Sequence, residues 1–463
     1  NASLVWMGAT IGCAQCHDHK YDPYTAKDFY SFAAFFADVD ENAHLNDERR
    51  KGLPFNSLPT PRPPEMEIPS MDQSKRLAEL KEKIASSDGE EKKAAEKQLT
   101  ELRKQIPRAM ITVSVEPREM RVLPRGNWLD DSGEIVDPAV PGFLGEIRTE
   151  NDERATRLDL ANWLTDAENG SGGLTARVMA NRLWYLFFGV GLSSSLDDFG
   201  GQGEAPVHPE LLDRLAIDFY ENGWDLKHFI KQLVMTRAYR QSSLTSSELY
   251  ERDPENRLYA RQSRYRLPAE MIRDNALAVS GLLVLKRDGS VAKPYQPAGY
   301  YKHLNFPQRK YQQHNDDRQW RRAVYMHWQR QFLHPMLRAF DAPSREECTA
   351  ERPRSNTPLA ALTLLNDPTF VEAARVFGER ILKEGGDDEA ARLEFAWRHA
   401  VSRLPSDAER SVSLQLLSEM RKEGGVPKSG LTKTDGSLNP NELAAWSTLG
   451  RLLLNLNETN ARN

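Results

Sequence analysis

Two cysteines and a histidine near the start of the chain have types and spacing that could do chemistry. Cys13, Cys16 and His17 form a Cys-x-x-Cys-His run. On a helix this spacing places both thiols one turn apart with the imidazole directly after them, which suits covalent attachment of a haem. The sulfurs would form thioethers with the haem vinyl groups, and His17 would be an axial ligand of the iron. The run therefore predicts a c-type haem site.

Zinc is the alternative cofactor that the same stretch allows. Cys13, Cys16, His17 and His19 are a compact set of sulfur and nitrogen ligands. Zinc modules usually take their second ligand pair from a separate turn or strand, which favours haem. Because His19 follows His17 by two residues, it points elsewhere on a helix and cannot fill the opposite axial position. We expect it to support the site or to lie on the surface.

Two partners of the predicted haem site stay open in the sequence. The second ring nitrogen of His17 needs a hydrogen-bond acceptor, which would fix the tautomer of the ring. The candidate acceptors follow it directly: Asp18, Asp22 and the carbonyls next to Pro23. The sixth iron ligand could be Met66, Met71, Met110 or His44. An open position, or a ligand from a segment upstream of Asn1, is equally allowed.

A second candidate site is the loop of glycines and acidic residues at 197–204, followed by His208. Its three glycines would let the backbone pass close to a ligand, and Asp198, Glu204 and His208 could converge on a metal or a sugar. The same composition also suits a tight connector between two helices, and His208 before Pro209 is typical of a helix start. No strand is predicted before the glycines, so they are not a nucleotide-binding fingerprint.

Both candidate sites carry motifs that resemble known families. The run 12–23, with 27–30 and Phe35-Phe36, is similar to the end of the first of two planctomycete domain families of unknown function, which are found together next to cytochrome c modules. Motifs over most of the remaining chain resemble the second, helical family: residues 181–184, 198–203, 208–212, 239–242, 269–274 and 364–368. The resemblance implies an exported, haem-associated protein. It supplies no catalytic residues, since the activity of these families is not established.

Composition and charge narrow the class of protein. The chain has 463 residues, of which 39% are hydrophobic and 28% are charged, and a net charge of −5. The chain has no excess of basic residues of the kind that binds nucleic acid. No run of the sequence approaches the roughly 20 apolar residues of a membrane span. Because the chain starts at Asn1 and residues 2–11 are mildly apolar, we expect a fragment whose upstream part held a signal peptide. Lone Cys348 is expected to be a packed or partly exposed thiol.

Three functions are compatible with these observations. The first is an extracytoplasmic, periplasmic-type electron-transfer protein with haem c, whose partners are redox proteins such as other cytochrome modules. The second is an envelope enzyme, linked to polysaccharide degradation, with the 198–208 loop as its active site. The third is a zinc-binding or scaffolding protein. Whether the chain is an enzyme stays open.

The hydrophobic pattern predicts a mainly α fold: a multi-helix domain with a small β element and an inserted helical hairpin. Four regions are expected: residues 1–69, the C-terminal part of a haem-motif domain plus a proline-rich linker; 70–106, the hairpin; 107–150, a small β-containing connector; and 151–463, a large mainly helical domain.

Several elements within these regions are specific enough to test. The aromatic stripe Phe29, Phe32, Phe35 and Phe36 predicts a helix whose rings pack in the core or wall one face of a haem. Alternation predicts strands at 110–123 and 323–328. The predicted helices of the large domain include 178–188, 209–221, one capped by Asp225, one from Pro268 to Gly281, 358–381, 388–402, 405–420 and 440–457.

Overall fold

A computed structural model of the chain describes residues 1–40, 64–149, 153–287, 289–304 and 310–462. The fold is mainly α, as predicted, with three small two-stranded antiparallel sheets in these residues. The α-helices are α1 (Ala2–Met7), α2 (Ala26–Ala34), α3 (Met71–Ser86), α4 (Gly89–Gln105), α5 (Arg157–Thr165), α6 (Gly172–Phe188), α7 (Pro209–Glu221), α8 (Leu226–Met235), α9 (Ser247–Arg252), α10 (Ala269–Ser280), α11 (Pro335–Ala339), α12 (Pro358–Asn366), α13 (Pro368–Glu384), α14 (Glu389–Val401), α15 (Asp407–Glu423), α16 (Pro440–Asn455) and α17 (Asn457–Asn460).

The strands are short and pair in three antiparallel ladders: β1 (Glu65–Glu67) with β2 (Arg108–Met110), β3 (Met120–Arg121) with β4 (Ile135–Val136), and β5 (Tyr265–Arg266) with β6 (Ala461–Arg462). The described helices include none that is long and apolar enough to cross a membrane.

Local sequence sets many of the helix ends. Capping boxes, in which a Ser or Thr side chain and an acidic or amide side chain three residues later satisfy each other's backbone N–H groups, begin α2, α3, α5 and α15. Asp225 caps α8 as predicted, because its carboxyl accepts from the amides of Lys227 and His228. Gly281 ends α10 with a φ of 84°, in the left-handed region that glycine tolerates.

The largest core lies where α13 and α16 cross, with α10, α14 and α15 packed around them. Glycine allows the two long helices to approach closely. A Cβ at Gly378 would lie 2.8 Å from the backbone nitrogen of Ser447, and one at Gly450 would lie 2.9 Å from the carbonyl oxygen of Ala374. The buried indoles of Trp397 and Trp446 fill the remaining volume.

A second core packs α6 against α7 and α8. The rings of Trp184 and Phe188 stack on successive turns of α6, with centroids 3.9 Å apart. A third core joins the N-terminal segment to the helical region: Met7, Ile11 and Phe35 pack with Trp163 and Leu164 of α5. The segment with the Cys-x-x-Cys-His run therefore shares a core with the large domain.

The predicted helical hairpin is present as α3 and α4. Leu80 and Ala95 are its buried side chains, and the turn falls between Ser86 and Gly89. At its base β1 pairs with β2, so that Glu67 lies opposite Arg108. The two ends of the hairpin are therefore adjacent.

Three predicted elements were wrong in detail. The predicted strand at 110–123 is interrupted: its two ends pair in β2 and β3, and its middle lies along residues 37–40, where Ser114 and Val39 form an isolated antiparallel bridge and the Val115 N–H donates to the Asp38 carbonyl. Instead of a strand at 323–328, residues Ala323–Tyr325 form a 3₁₀ turn. The predicted helix 358–381 is two helices, since Pro368 lacks the N–H that continuity needs and Asp367 caps α13 instead. The proline-rich linker lies largely outside the described residues.

Candidate haem-attachment site

The Cys-x-x-Cys-His run sits on a 3₁₀ helix, Ile11–Gln15, between α1 and α2. Cys13 lies within this helix and Cys16 is the residue that ends it. Side chains three residues apart on a 3₁₀ helix eclipse one another, so the two thiols project from the same side of the turn. Both are exposed and free. The expected α-helical turn is thus a tighter one, with the same consequence for the thiols.

The His17 ring is exposed and fixed in one tautomer. Its Nδ1 lies 2.7 Å from the carbonyl oxygen of Asp18. Because a carbonyl can only accept, Nδ1 carries the proton and Nε2 keeps its lone pair. Of the acceptors considered from the sequence, Asp18 is the partner of His17, through its backbone and not its carboxyl. The ring is ready to ligate a metal through Nε2.

His19 is buried, and both of its ring nitrogens are used to fold the loop. Nδ1 accepts from the backbone N–H of Asp22 at 2.9 Å, and Nε2 lies 3.2 Å from the hydroxyl oxygen of Thr10. Its ring is therefore committed to the protein. Within the described parts of the chain, no three His, Cys, Asp or Glu side chains are grouped so that they could hold a metal ion, which gives the zinc alternative no support.

An apolar cavity of about 390 Å³ lies beside the motif. Gly12, the residue before Cys13, lines it together with Phe29, Phe32 and Phe36. Phe35 is fully buried in the third core instead. The predicted aromatic stripe thus divides between the two roles considered for it, packing in the core and forming an apolar wall beside the motif.

These residues fit a covalently attached haem. Two free, exposed thiols project from one turn, an imidazole with a bare Nε2 follows them, and an apolar cavity adjoins them. Of the methionines considered as a sixth ligand, Met66, Met71 and Met110 are exposed near the base of the hairpin. His44 lies outside the described residues.

The second candidate loop does not gather its three side chains. The Asp198 carboxyl accepts from the amide of Gly200 two residues later, at 2.8 Å. The Glu204 carboxyl lies 3.2 Å from a guanidinium nitrogen of Arg257. His208 precedes α7 as its N-terminal flanking residue, with its ring 6.2 Å from that of Tyr259. Each serves a different part of the local fold.

The same loop instead holds the haem-motif segment against the helical domain. We call residues 197–204 the clamp loop. The Phe199 amide donates to the Gly8 carbonyl at 2.8 Å, and the Gly201 amide donates to the Asp22 carboxyl at 2.6 Å. A Cβ at Gly200 would lie 2.5 Å from the same carboxyl, so only glycine allows this approach.

Arg182 of α6 strengthens this junction. Its guanidinium donates to the carbonyls of Leu4 and Val5 in α1, at 2.9 and 2.5 Å. Burial lowers the pKa of the Arg182 guanidinium. Nearby, burial raises the pKa of Tyr24 to about 12, and the carboxyls of Asp22 and Asp198 add to the shift, so that its hydroxyl stays neutral. The sequence analysis did not predict the contact between the clamp loop and Asp22. The signal that could have indicated it is that both partners lie in family motifs, 12–23 and 198–203.

Comparison with protein families agrees with this arrangement. Residues 156–417, more than half of the chain, match the family described as PSD1, protein of unknown function (DUF1553). The chain belongs to this family. Residues 1–41 match the family described as PSCyt2, protein of unknown function (DUF1549). These are the planctomycete cytochrome-c-associated families that the sequence resembles.

No curated protein and no solved structure matches the chain. The PSCyt2 and PSD1 segments meet at the clamp loop, since Asp22 belongs to the first and Gly201 to the second. The residues 42–155, which include the hairpin, lie outside both matches.

Proposed function

We propose that this PSD1 protein is an extracytoplasmic electron-transfer protein that carries haem c on Cys13, Cys16 and His17. The observation that carries the proposal is the His17 tautomer: Nδ1–H donates to the Asp18 carbonyl and leaves Nε2 free, directly after two exposed thiols. When bound, the haem would supply one-electron redox chemistry.

The chain's own residues have distinct roles in this function. The thiols of Cys13 and Cys16 would hold the haem covalently, and His17 would provide a nitrogen ligand to its iron. Phe29 and Phe36 exclude water from the side where the apolar cavity lies. A drier surround favours the less charged form of an iron centre, so these two rings act on the reduction potential.

The exposure of the motif supports a role with protein partners. Cys13, Cys16 and His17 all lie at the surface, where a second redox protein can approach. The clamp loop and Arg182 fix the orientation of that surface relative to the helical domain. We infer that partners are other cytochrome modules, in keeping with the cytochrome-c-associated families to which the segments are similar.

A pyridine haemochrome spectrum tests the proposal. The protein is expressed with export in cells equipped for cytochrome c maturation, and it is then purified and denatured. Haem should stay attached after denaturation, because thioether bonds are covalent. The Cys13→Ala and Cys16→Ala double variant should lose it. Cys348→Ala is the matched control, since Cys348 is also a free, exposed thiol but lies outside the motif.

His17→Ala should keep thioether attachment and change the axial coordination, which a shifted visible spectrum and a shifted reduction potential would report. Metal determination on the same samples gives the opposing result. Stoichiometric zinc without covalent haem, after expression under maturation conditions, would overturn the proposal.

A further inference from the structure

A second cavity, remote from the haem motif in sequence, has an unusual charge. It measures about 390 Å³ and lies between the end of α6, the start of α10 and the segment 340–354. We call it the arginine pocket because four of its lining residues are Arg266, Arg345, Arg352 and Arg354. We propose that it binds an organic oxyanion: a carboxylate, sulfate ester or phosphate ester on an apolar or ring-shaped body. This goes beyond the proposed haem function.

The positive charge of the arginine pocket is only half compensated. Its two acidic lining residues are each paired: Glu270 lies 2.9 Å from Arg352, and Asp341 lies 2.5 Å from Arg266. Within the described parts of the chain, Arg345 and Arg354 have no carboxylate partner. The lining therefore carries two unpaired guanidinium groups, and an anion is the ligand that such a surface attracts.

Both unpaired arginines are held in place by aromatic rings. The Arg354 guanidinium lies between Tyr185 and Tyr265, 4.7 and 4.5 Å from the ring centroids. That of Arg345 lies 3.7 Å from the centroid of Trp328. Cation–π contacts engage the flat faces of a guanidinium and leave its N–H edges available. One Arg354 N–H donates to the Gly189 carbonyl at 3.3 Å, and a guanidinium has four further N–H donors. The donors are thus oriented before a ligand arrives, which reduces the entropic cost of binding.

Arg266 adds unused donors to the same pocket. Its Nε and Nη1 atoms are buried and have no hydrogen-bond partner among the residues that the structure describes. Burial lowers the pKa of this guanidinium, the Asp341 carboxyl opposes the shift, and the charge of Arg354 lowers it further. An anion between Arg266 and Arg354 would relieve their repulsion and would satisfy donors that are costly to leave unmade.

The remaining lining indicates that the anion is attached to a larger body. Leu267, Pro268, Met271 and Phe340 line the pocket with the arginines. The volume of about 390 Å³ greatly exceeds the roughly 30 Å³ that a water molecule occupies, so a bare inorganic ion would leave most of it unfilled. An oxyanion on an organic body matches both the charged and the apolar parts of the wall.

Calorimetric titration of the full chain tests this assignment. The probes share one body and differ in charge: benzoate, phenyl sulfate, phenyl phosphate and uncharged benzyl alcohol, with inorganic sulfate as a bare ion. At least one anionic phenyl probe should bind saturably, more tightly than benzyl alcohol and sulfate, and added salt should weaken it. The anionic probe that binds most tightly identifies the type of oxyanion.

Arg354→Gln and Arg345→Gln should each weaken that binding about tenfold or more, because each removes a charged donor from the pocket. The two arginines contact different aromatic rings, so that two variants guard against one that fails to fold, and urea unfolding checks both. Arg214→Gln is the control, since Arg214 is exposed and paired with Asp218 on α7. No saturable binding of any anionic probe, or binding that both pocket variants leave unchanged, would refute the assignment. Neither outcome bears on haem attachment.

Discussion

Gly200→Ala is the sharpest test of the clamp between the haem-motif segment and the helical domain. The new Cβ would lie 2.5 and 2.6 Å from the two carboxyl oxygens of Asp22, closer than real Cβ atoms approach. That carboxyl cannot move aside easily. Its side chain is only 7% exposed, and it accepts from the Gly201 amide at 2.6 Å.

The expected loss follows from two contributions. Overpacking of a tight contact costs roughly 1–3 kcal/mol. If the Asp22 carboxyl shifts, the hydrogen bond from Gly201 is weakened as well, and a bond to a charged acceptor contributes roughly 1.5–3 kcal/mol. The neighbouring residues relax in part, and the hydrogen bond is weakened and not removed, so neither cost applies in full. Gly200→Ala should therefore lower the free energy of unfolding by about 3 kcal/mol.

Urea unfolding followed by tryptophan fluorescence measures this change. The matched control is Gly173→Ala in the first turn of α6, where a Cβ would meet no atom within 4 Å. It should be neutral or stabilise by about 0.5 kcal/mol. In an Asp22→Ala background the clash disappears, so Gly200→Ala should then cost little. Equal stabilities of the Gly200→Ala and Gly173→Ala proteins would refute the clamp.

Three further substitutions or deletions have defined outcomes. Replacing residues 72–104 by a short Gly/Ser linker should leave the urea midpoint unchanged, because β1 and β2 already hold the two ends of the hairpin together. A large decrease in the midpoint would mean that α3 and α4 pack against the rest of the protein. Burial lowers the pKa of His334 from 6.5 to about 4 in the folded protein. Between these pH values the unfolded chain is protonated at this ring and the folded protein is not, so up to about 3 kcal/mol of stability is lost as the pH falls from 6.5 to 4. His334→Gln should flatten that part of the stability profile, whereas the exposed control His228→Gln should keep it. Glu372→Gln should lower the free energy of unfolding by roughly 1–3 kcal/mol, since the fully buried carboxyl accepts hydrogen bonds from Tyr295, Trp320 and Thr432. The control Glu384→Gln, at an exposed residue, should cost less than about 0.5 kcal/mol. Equal costs would contradict a stabilising role for the Glu372 carboxyl.

Features that depend on neighbouring residues could be read from the sequence. The Cys-x-x-Cys-His run, the cap at Asp225, the start of α7 at Pro209 and the end of α10 at Gly281 all rest on interactions within one or two turns. The partner of the His17 ring is the adjacent residue Asp18, which was among the candidates, although the acceptor is its backbone carbonyl and not its carboxyl. Short-range backbone geometry leaves few alternatives at such positions.

The errors show where a local pattern was insufficient. The patterns at 110–123 and 323–328 suggested continuous strands, yet the segments that pair with a strand are distant in sequence. Residues 110–123 change partner along their length, and residues 323–325 form a 3₁₀ turn. Pro368 was available in the sequence as a break in the predicted helix 358–381. The apolar spacing on either side of it outweighed that signal.

The sequence by itself determined the mainly helical fold and the residues that fit a haem, because both follow from periodicity and from chemistry within a few residues. Only the tertiary structure decided what the glycine-rich loop does. Asp22 and Gly201 are 179 residues apart, and no local pattern relates them. The same holds for the arginine pocket, whose charge is visible only when α6, the start of α10 and residues 340–354 are brought together. Contacts between distant segments are fixed by the packing of whole helices, which no single segment encodes.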